Sequence, residues 1–411
     1  MEILRGWWIG IVKKSGLLLC EGEMPILVGD GVKQSKEGKK MPCVKRLHQE
    51  SENSSSPAYL FGHMYGAIGV LVGSIRKLFC VPLSICIHDG DAQIKQWANA
   101  ATVPESHVVR MIRQASQVAV RMGKSILLLD RYFLSVPGLT AWLEEAQKAG
   151  RPLLSLVMRA KGNPAAYEDP VQSSGRGRPR KKGEKVKVGD LFDSCKDVFK
   201  QAKVTLYGKE ETLSYLCRDL LWGQKLYQKL RFVLVVCGDT RSIFVSTDLT
   251  LTAEQIIRLY GYRFKIECCF RELKQVIAGF AYRFWSYYMP KLNRYAKSGT
   301  DPLHTVTLDR HKIRIHAAFS AVERFVMMAC IALGLLQICS LRFALEINAS
   351  PLRWLRSRTN STPSEATTSH FLRSTIFRSV ASHPFLPIFL FIRDRQSTSS
   401  LPLLPDDLLA A

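Results

Sequence analysis

The chain has 411 residues, 47% of them apolar, which excludes a disordered protein and leaves room for one large domain or roughly two or three ordinary ones. Fifty-eight Lys and Arg against thirty-five Asp and Glu leave a net charge of +23, so the expected partner is a polyanion, nucleic acid first and an anionic membrane second. Eleven cysteines, an odd number with no CxxC pair and no Cys/His zinc spacing, argue against a disulfide framework or structural zinc and fit a reducing cytosol.

In chain order, residues 1–23 form a short N-terminal segment whose apolar run is interrupted by Lys13 and Lys14, unlike a signal peptide. MPILVGDG, from Met24, reads as a buried strand ending on Asp30, followed by a loop rich in lysine and then serine. Residues 58–74 and 77–90 read as two β-type runs in a hairpin, and 104–122 as a helix with apolar residues at helical spacing. SILLLDRYF (125–133) is an apolar strand ending on Asp130; a helix over 139–148 and a strand over 152–159 follow. This alternation predicts a mixed α/β sheet flanked by helices, with residues 24–160 its first part. Residues 161–230 read as a basic, β-rich insertion, and 231–345 as the second part of the same domain. Phe325–Leu341 is about a turn short of a membrane span and contains Gln337 and Ser340, so it is expected to be a buried core helix. The serine- and proline-rich tail, 346–411, is expected to be peripheral or poorly ordered.

One stretch carries the chemistry. YGYRFKIECCFRELK, starting at Tyr260, is predicted to lie on a single helix opening at Thr252 or Ala253. At roughly 100° per residue, Arg263, Glu267 and Lys274 return to within about 60° of Tyr260, giving one narrow polar stripe. A solvated charged face with an Arg263–Glu267 pair has the same pattern. Asp30 and Asp130 favour a site instead, because each ends an apolar strand at a sheet edge, where α/β folds place ligands. Two strand-end aspartates and one helical glutamate are the hard oxygen donors that divalent cations require, brought from separate elements.

These residues resemble the DDE transposases of bacterial insertion sequences, in the branch marked by Tyr-x2-Arg-x3-Glu-x6-Lys, a signature matched without a gap by Tyr260, Arg263, Glu267 and Lys274. The resemblance covers roughly residues 24–345 and implies a ribonuclease-H-like sheet, interrupted by a mainly β insertion before the last catalytic helix. It implies Asp30, Asp130 and Glu267 as catalytic residues holding two Mg²⁺ ions, for which Mn²⁺ can substitute. The implied activity is DNA strand cleavage and strand transfer at transposon ends, by a homodimer on double-stranded DNA in the bacterial cytoplasm at the nucleoid, with no membrane partner. Arg263, Lys274 and Tyr260 then contact the phosphate backbone, and Trp222 is a candidate for stacking a flipped base.

Asp89 and Asp91, in IHDGD, are rivals for the first acid; counting strands favours Asp30. The cluster Arg176, Arg178, Arg180, Lys181 and Lys182 resembles an AT-hook, with an exposed phosphate-binding loop as its alternative. His48, His63 and His88 are expected to be structural. Only 29 residues precede Asp30, where members of the family carry a helical DNA-binding region, so a truncated, weakly active remnant that binds DNA and inhibits full-length transposase is the alternative expectation.

Overall fold

The computed structural model describes residues 1–49, 57–75, 77–98, 105–171, 179–206, 209–293, 302–349 and 362–382. The chain divides into two compact units, Met1–Ile338 and Cys339–Ala411.

The first unit opens with helix α1 (Glu2–Lys14), then strands β1 (Cys20–Glu21), β2 (Met24–Ser35), β3 (Lys45–His48), β4 (Tyr59–Ser74) and β5 (Lys77–Ile87). Helices α2 (Ala92–Gln96) and α3 (His107–Met122), strand β6 (Ser125–Leu129), helix α4 (Val136–Lys148) and strand β7 (Leu154–Arg159) come next. Then follow β8 (Ala165–Tyr167), β9 (Lys185–Lys187), α5 (Leu191–Ser194), β10 (Lys200–Leu206), β11 (Lys209–Trp222), β12 (Gln228–Cys237) and β13 (Thr240–Ser246). Helices α6 (Ala253–Gly261) and α7 (Lys265–Gln275) follow, and then α8 (Asp309–Arg342), whose last residues lie past the boundary at Ile338.

Among the described residues, all thirteen strands belong to one mixed sheet. One half runs β5–β4–β2–β6–β7: β4 pairs antiparallel with both β5 and β2, while β6 is parallel to β2 and β7 parallel to β6. The apolar runs account for this half, because β6 (SILLL) is buried at every residue, as a strand covered on both faces requires. Beyond β7 every pairing is antiparallel, through β13, β12 and β11. Residues 161–230 therefore do not make a separate layer; β8 and β10 both pair with β11, whose ladder to β12 and β13 continues the central sheet.

Neighbouring residues of β2 face opposite sides of the sheet. A Cβ on Gly29 would meet Met111 of α3, whereas the next residue, Asp30, is bonded to Arg263 of the α6–α7 connection. Helices thus cover both faces. The N-terminal segment is part of the packing: Trp8 of α1 is buried and its indole N–H donates to the Pro82 carbonyl at 2.8 Å. Helix α8 is the one described helix long and apolar enough to cross a membrane by length and composition. Its buried residues Ile315, Phe319, Val322, Val326, Cys330 and Leu333 recur at spacings of 3 and 4, the pattern of a helix packed along one face. Gly334 lies against Trp8 so closely that a Cβ would stand 2.3 Å from the indole ring.

In the second unit, α9 (Ala344–Ala349) is followed by α10 (Glu365–Ser382). Ser364 opens α10 by accepting from the Thr367 amide at 3.2 Å, a local cap inside a composition that otherwise reads as irregular.

Candidate functional site

The sheet register brings two acids together. Val28 pairs with Leu128 in the parallel β2–β6 ladder, so Asp30 and Asp130, each two residues further on, stand level. Asp130 directly follows β6, but Asp30 does not end its strand as the apolar run suggested, because β2 continues to Ser35, paired with β4. Each carboxylate accepts from the backbone N–H of the next residue at 2.7 Å, from Gly31 and Arg131 respectively.

The stretch from Tyr260 corrects one expectation. It is not on one helix: α6 ends at Gly261 and α7 starts at Lys265. In between, backbone bonds run to the third residue back, Arg263 N to Tyr260 O at 3.0 Å and Lys265 N to Tyr262 O at 3.0 Å. Such a tight turn holds three residues per turn, so side chains three apart eclipse. Tyr260 and Arg263 therefore project in one line towards the sheet rather than being offset around a cylinder. Gly261, a poor helix former, sits at the break.

The consequence is two hydrogen-bonded groups, side by side, that between them take in all three acids. The Tyr260 hydroxyl donates to Asp130 Oδ1 at 3.3 Å, Arg263 Nη1 donates to Asp30 Oδ2 at 3.0 Å, and Arg263 Nη2 bonds Glu267 Oε1. The Tyr260 ring is fixed by Phe244 of β13, with ring centroids 4.6 Å apart. Arg263 is well buried, its side chain 14% exposed. Burial opposes its charge, but Asp30 and Asp130 more than offset this and hold its pKa above the usual arginine value. Burial likewise dominates at Asp30, and with the negative charge of Asp130 it outweighs the Arg263 ion pair, raising the Asp30 pKa to about 6.

As donors, three carboxylates from three elements suit a hard divalent cation, and a desolvated aspartate next to a second one calls for positive charge. In this side-chain arrangement Arg263 supplies that charge. Among the described residues no group of three His, Cys, Asp or Glu side chains lies close enough together to hold a metal ion. The donor chemistry fits a metal; binding one through all three acids requires the Arg263 guanidinium to turn away.

Asp30 and Asp130 open onto a cavity of about 510 Å³ that is also lined by Asp89, His88, His107 and Tyr132. Of the two rival acids, Asp91 is engaged elsewhere, in a two-pronged pair with Arg110 at 2.7 Å and with Lys95 at 2.5 Å. Asp89 pairs with Lys45 at 3.0 Å and keeps one edge on the cavity.

His88 and His107 form a directed chain that no local sequence pattern announces. Gln114 Nε2 donates to the Gly66 carbonyl at 3.2 Å and to Ser84 at 2.9 Å, which fixes the amide orientation and leaves Oε1 as an acceptor. His88 Nε2–H donates to that oxygen at 2.8 Å, so His88 Nδ1 is unprotonated and accepts from His107 Nδ1–H at 2.8 Å. His107 Nε2 then carries the remaining lone pair, on a ring that lines the cavity. Burial, reinforced by nearby Arg110, lowers the pKa of both rings, that of His107 to about 4, so both are neutral at pH 7.

The remaining candidates lie apart. Lys274 is exposed on the last turn of α7, and no described contact joins it to the acids. Trp222 ends β11 opposite Gln228; the turn after it, at Gly223, lies near Val136 at the start of α4. Lys182 stands over the rings of Tyr167 and Tyr227, at 4.1 and 5.3 Å, while Arg180 and Lys181 are exposed. Arg176 and Arg178 lie outside the described residues. His63 is structural in its surroundings, buried between the Tyr282 hydroxyl at 2.5 Å and the Pro42 carbonyl at 2.7 Å.

No family model, no curated protein and no solved structure matches the chain.

Proposed function

We propose that the protein is a DNA transposase of the DDE class, cutting and joining DNA strands in a divalent-metal-dependent reaction. The observation that carries this is the meeting of three segments distant in sequence, with residues 260–267 hydrogen-bonded to Asp130 through Tyr260 and to Asp30 through Arg263. The order β5–β4–β2–β6–β7, with an antiparallel half and a parallel half and acids on β2 and just after β6, supports a ribonuclease-H-like core.

A divalent cation on these carboxylates would neutralise charge on the attacking and leaving oxygens of an in-line phosphoryl transfer. Asp30 and Asp130 supply two donors from the sheet, and Glu267 a third, 42% exposed, from α7. Arg263, displaced from its carboxylates, is free to clamp a phosphate, for which a planar guanidinium is suited. Tyr260 keeps Asp130 oriented through its single hydroxyl proton. The proposed partners are double-stranded transposon ends and target DNA, held by two copies of the chain, in the bacterial cytoplasm.

The ion-paired state of Arg263 favours a second reading, a DNA-binding remnant with little turnover. Incubating purified protein with Mg²⁺ or Mn²⁺ and DNA carrying the ends of its element separates the two. The transposase reading expects nicking that Glu267→Ala removes while salt-sensitive binding remains. Binding without metal-dependent nicking supports the remnant, and a Glu267→Ala variant that cuts as well as the parent defeats the site assignment.

A further inference from the structure

Six residues past Asp30, on the order of 20 Å along an extended chain, β2 runs into the loop 36–41. The chain leaving α7 forms the loop 280–292. The two loops are tied together: Ser286 N donates to Lys40 O at 3.2 Å, Leu292 N to Lys39 O at 2.7 Å, and Lys36 Nζ to the carbonyls of Phe280 and Tyr282 at 2.5 and 3.1 Å. Between them lies a groove of about 1010 Å³, lined by Lys36, Lys39, Lys40, Arg283, Lys291 and Trp285. Of the twelve lining residues five are cationic and one, Glu37, is acidic. Burial and the charge of Arg283 lower the Lys36 pKa to about 8, the response of an ammonium crowded by a second cation.

Two exposed rings stand here, Trp285 in the lining of the groove and Tyr287 beside it against Lys40. Trp285 is 62% exposed and Tyr287 72%, exposures at which large rings gain little from the protein's own core. The Tyr282 ring is already capped by Lys36 at 3.6 Å, and Lys40 stands 4.6 Å from the Tyr287 ring. Cations that track a backbone, interleaved with open aromatic faces, are what a single strand of nucleic acid needs; a duplex keeps its bases stacked on one another and gains little from the rings.

We infer that the groove between loops 36–41 and 280–292 binds a single-stranded DNA segment, with phosphates on Lys39, Lys40, Arg283 and Lys291 and bases stacked on Trp285 and Tyr287. The inference rests on the nucleic-acid reading above and deepens it. Both walls continue directly from the elements that carry Asp30 and Glu267, so a strand separated at the carboxylate centre has a site within reach. The loops are cross-bonded without DNA, which lowers the ordering cost of binding.

The test is fluorescence anisotropy of a labelled single-stranded oligothymidine, and of a duplex of equal length, with the full chain at stepped salt. Trp285→Ala with Tyr287→Ala is expected to weaken single-strand binding by about tenfold or more, leaving the salt slope and the duplex affinity unchanged. Trp285→Phe, which keeps a ring, is expected to recover most of the loss. Lys39→Ala with Lys291→Ala is expected to flatten the salt slope by roughly 0.7 per cation removed. All four side chains are in surface loops, and circular dichroism checks that each variant is folded. Unchanged single-strand affinity in the aromatic variant, or an equal loss for the duplex, overturns the inference. Nicking is assayed separately: its absence with groove binding intact defeats the carboxylate centre alone, and unaltered binding in the aromatic variant with nicking intact defeats the groove alone.

Discussion

The carboxylate centre and the loop groove hold charge in opposite ways. In the centre, Asp30 and Asp130 stand at adjoining interior strands of the sheet and are answered within the protein by Arg263 and Tyr260. In the groove, lysines and arginines gather around exposed rings, and backbone carbonyls hold Lys36 and Lys40 in place without neutralising them. Desolvated charge is expensive unless paired, so the first region is self-compensated at rest and must exchange partners to act. The second is poised to receive an anion as it stands.

This contrast can be broken at Arg263, where the largest effect is expected. Arg263→Ala leaves Asp30 buried without its cation, which should cost about 2–3 kcal/mol of stability in urea denaturation and raise the Asp30 pKa further. The same variant should bind Mn²⁺ more tightly than the parent, as the competing guanidinium is gone, yet bind DNA more weakly. If stability and Mn²⁺ affinity are both unchanged, Arg263 is a surface residue in effect and the self-compensation argument fails.

The pH dependence of stability sharpens the same point. Asp30 is raised from an ordinary 3.8 to about 6 in the folded protein, so its stabilising contribution is complete below pH 3.8 and is lost as pH rises through 6. The loss is on the order of 2–3 kcal/mol, because each tenfold difference in proton affinity between folded and unfolded chain is worth about 1.4 kcal/mol. Asp30→Asn should flatten this part of the stability profile; a profile of the same shape in the variant contradicts the buried, raised carboxylate.

The histidine chain predicts a smaller change. Gln114→Leu removes the acceptor of His88 Nε2–H and should cost about 1–3 kcal/mol. In the parent, nitrogen-edited NMR should find His107 protonated at Nδ1 and bare at Nε2; the reverse tautomer would break the chain. The smallest effect belongs to the turn between α7 and the groove, where Ala278 sits at φ 54°. Ala278→Gly should gain up to about 1 kcal/mol of stability.

What was legible in the sequence follows the same division. Asp30 and Asp130 could be read because each follows an apolar run, and the parallel register then sets them level; that β2 goes on past Asp30 to Ser35 could not, since the polar residues after it look like a loop. Glu267 could be read from its spacing to Arg263, although the helix break at 262–264 was not, since a glycine in a helical pattern is usually tolerated. That break decides which way Tyr260 and Arg263 point. The continuity of residues 161–230 with the main sheet depends on β13 pairing with β7, a contact between strands some eighty residues apart that no local pattern encodes. The histidine chain needs β5 and α3 side by side, and the groove needs loops separated by more than two hundred residues. Trp285 and Tyr287 carry no periodic signal, so only the fold showed them exposed beside lysines.

The most direct test of the central claim is calorimetric titration of Mn²⁺ into the protein at pH 7, repeated with Asp30→Asn, Asp130→Asn and Glu267→Gln. The account predicts saturable binding in the parent that each of the three substitutions weakens strongly, since all three carboxylates share the ion. Equal binding in the parent and in all three variants would contradict it.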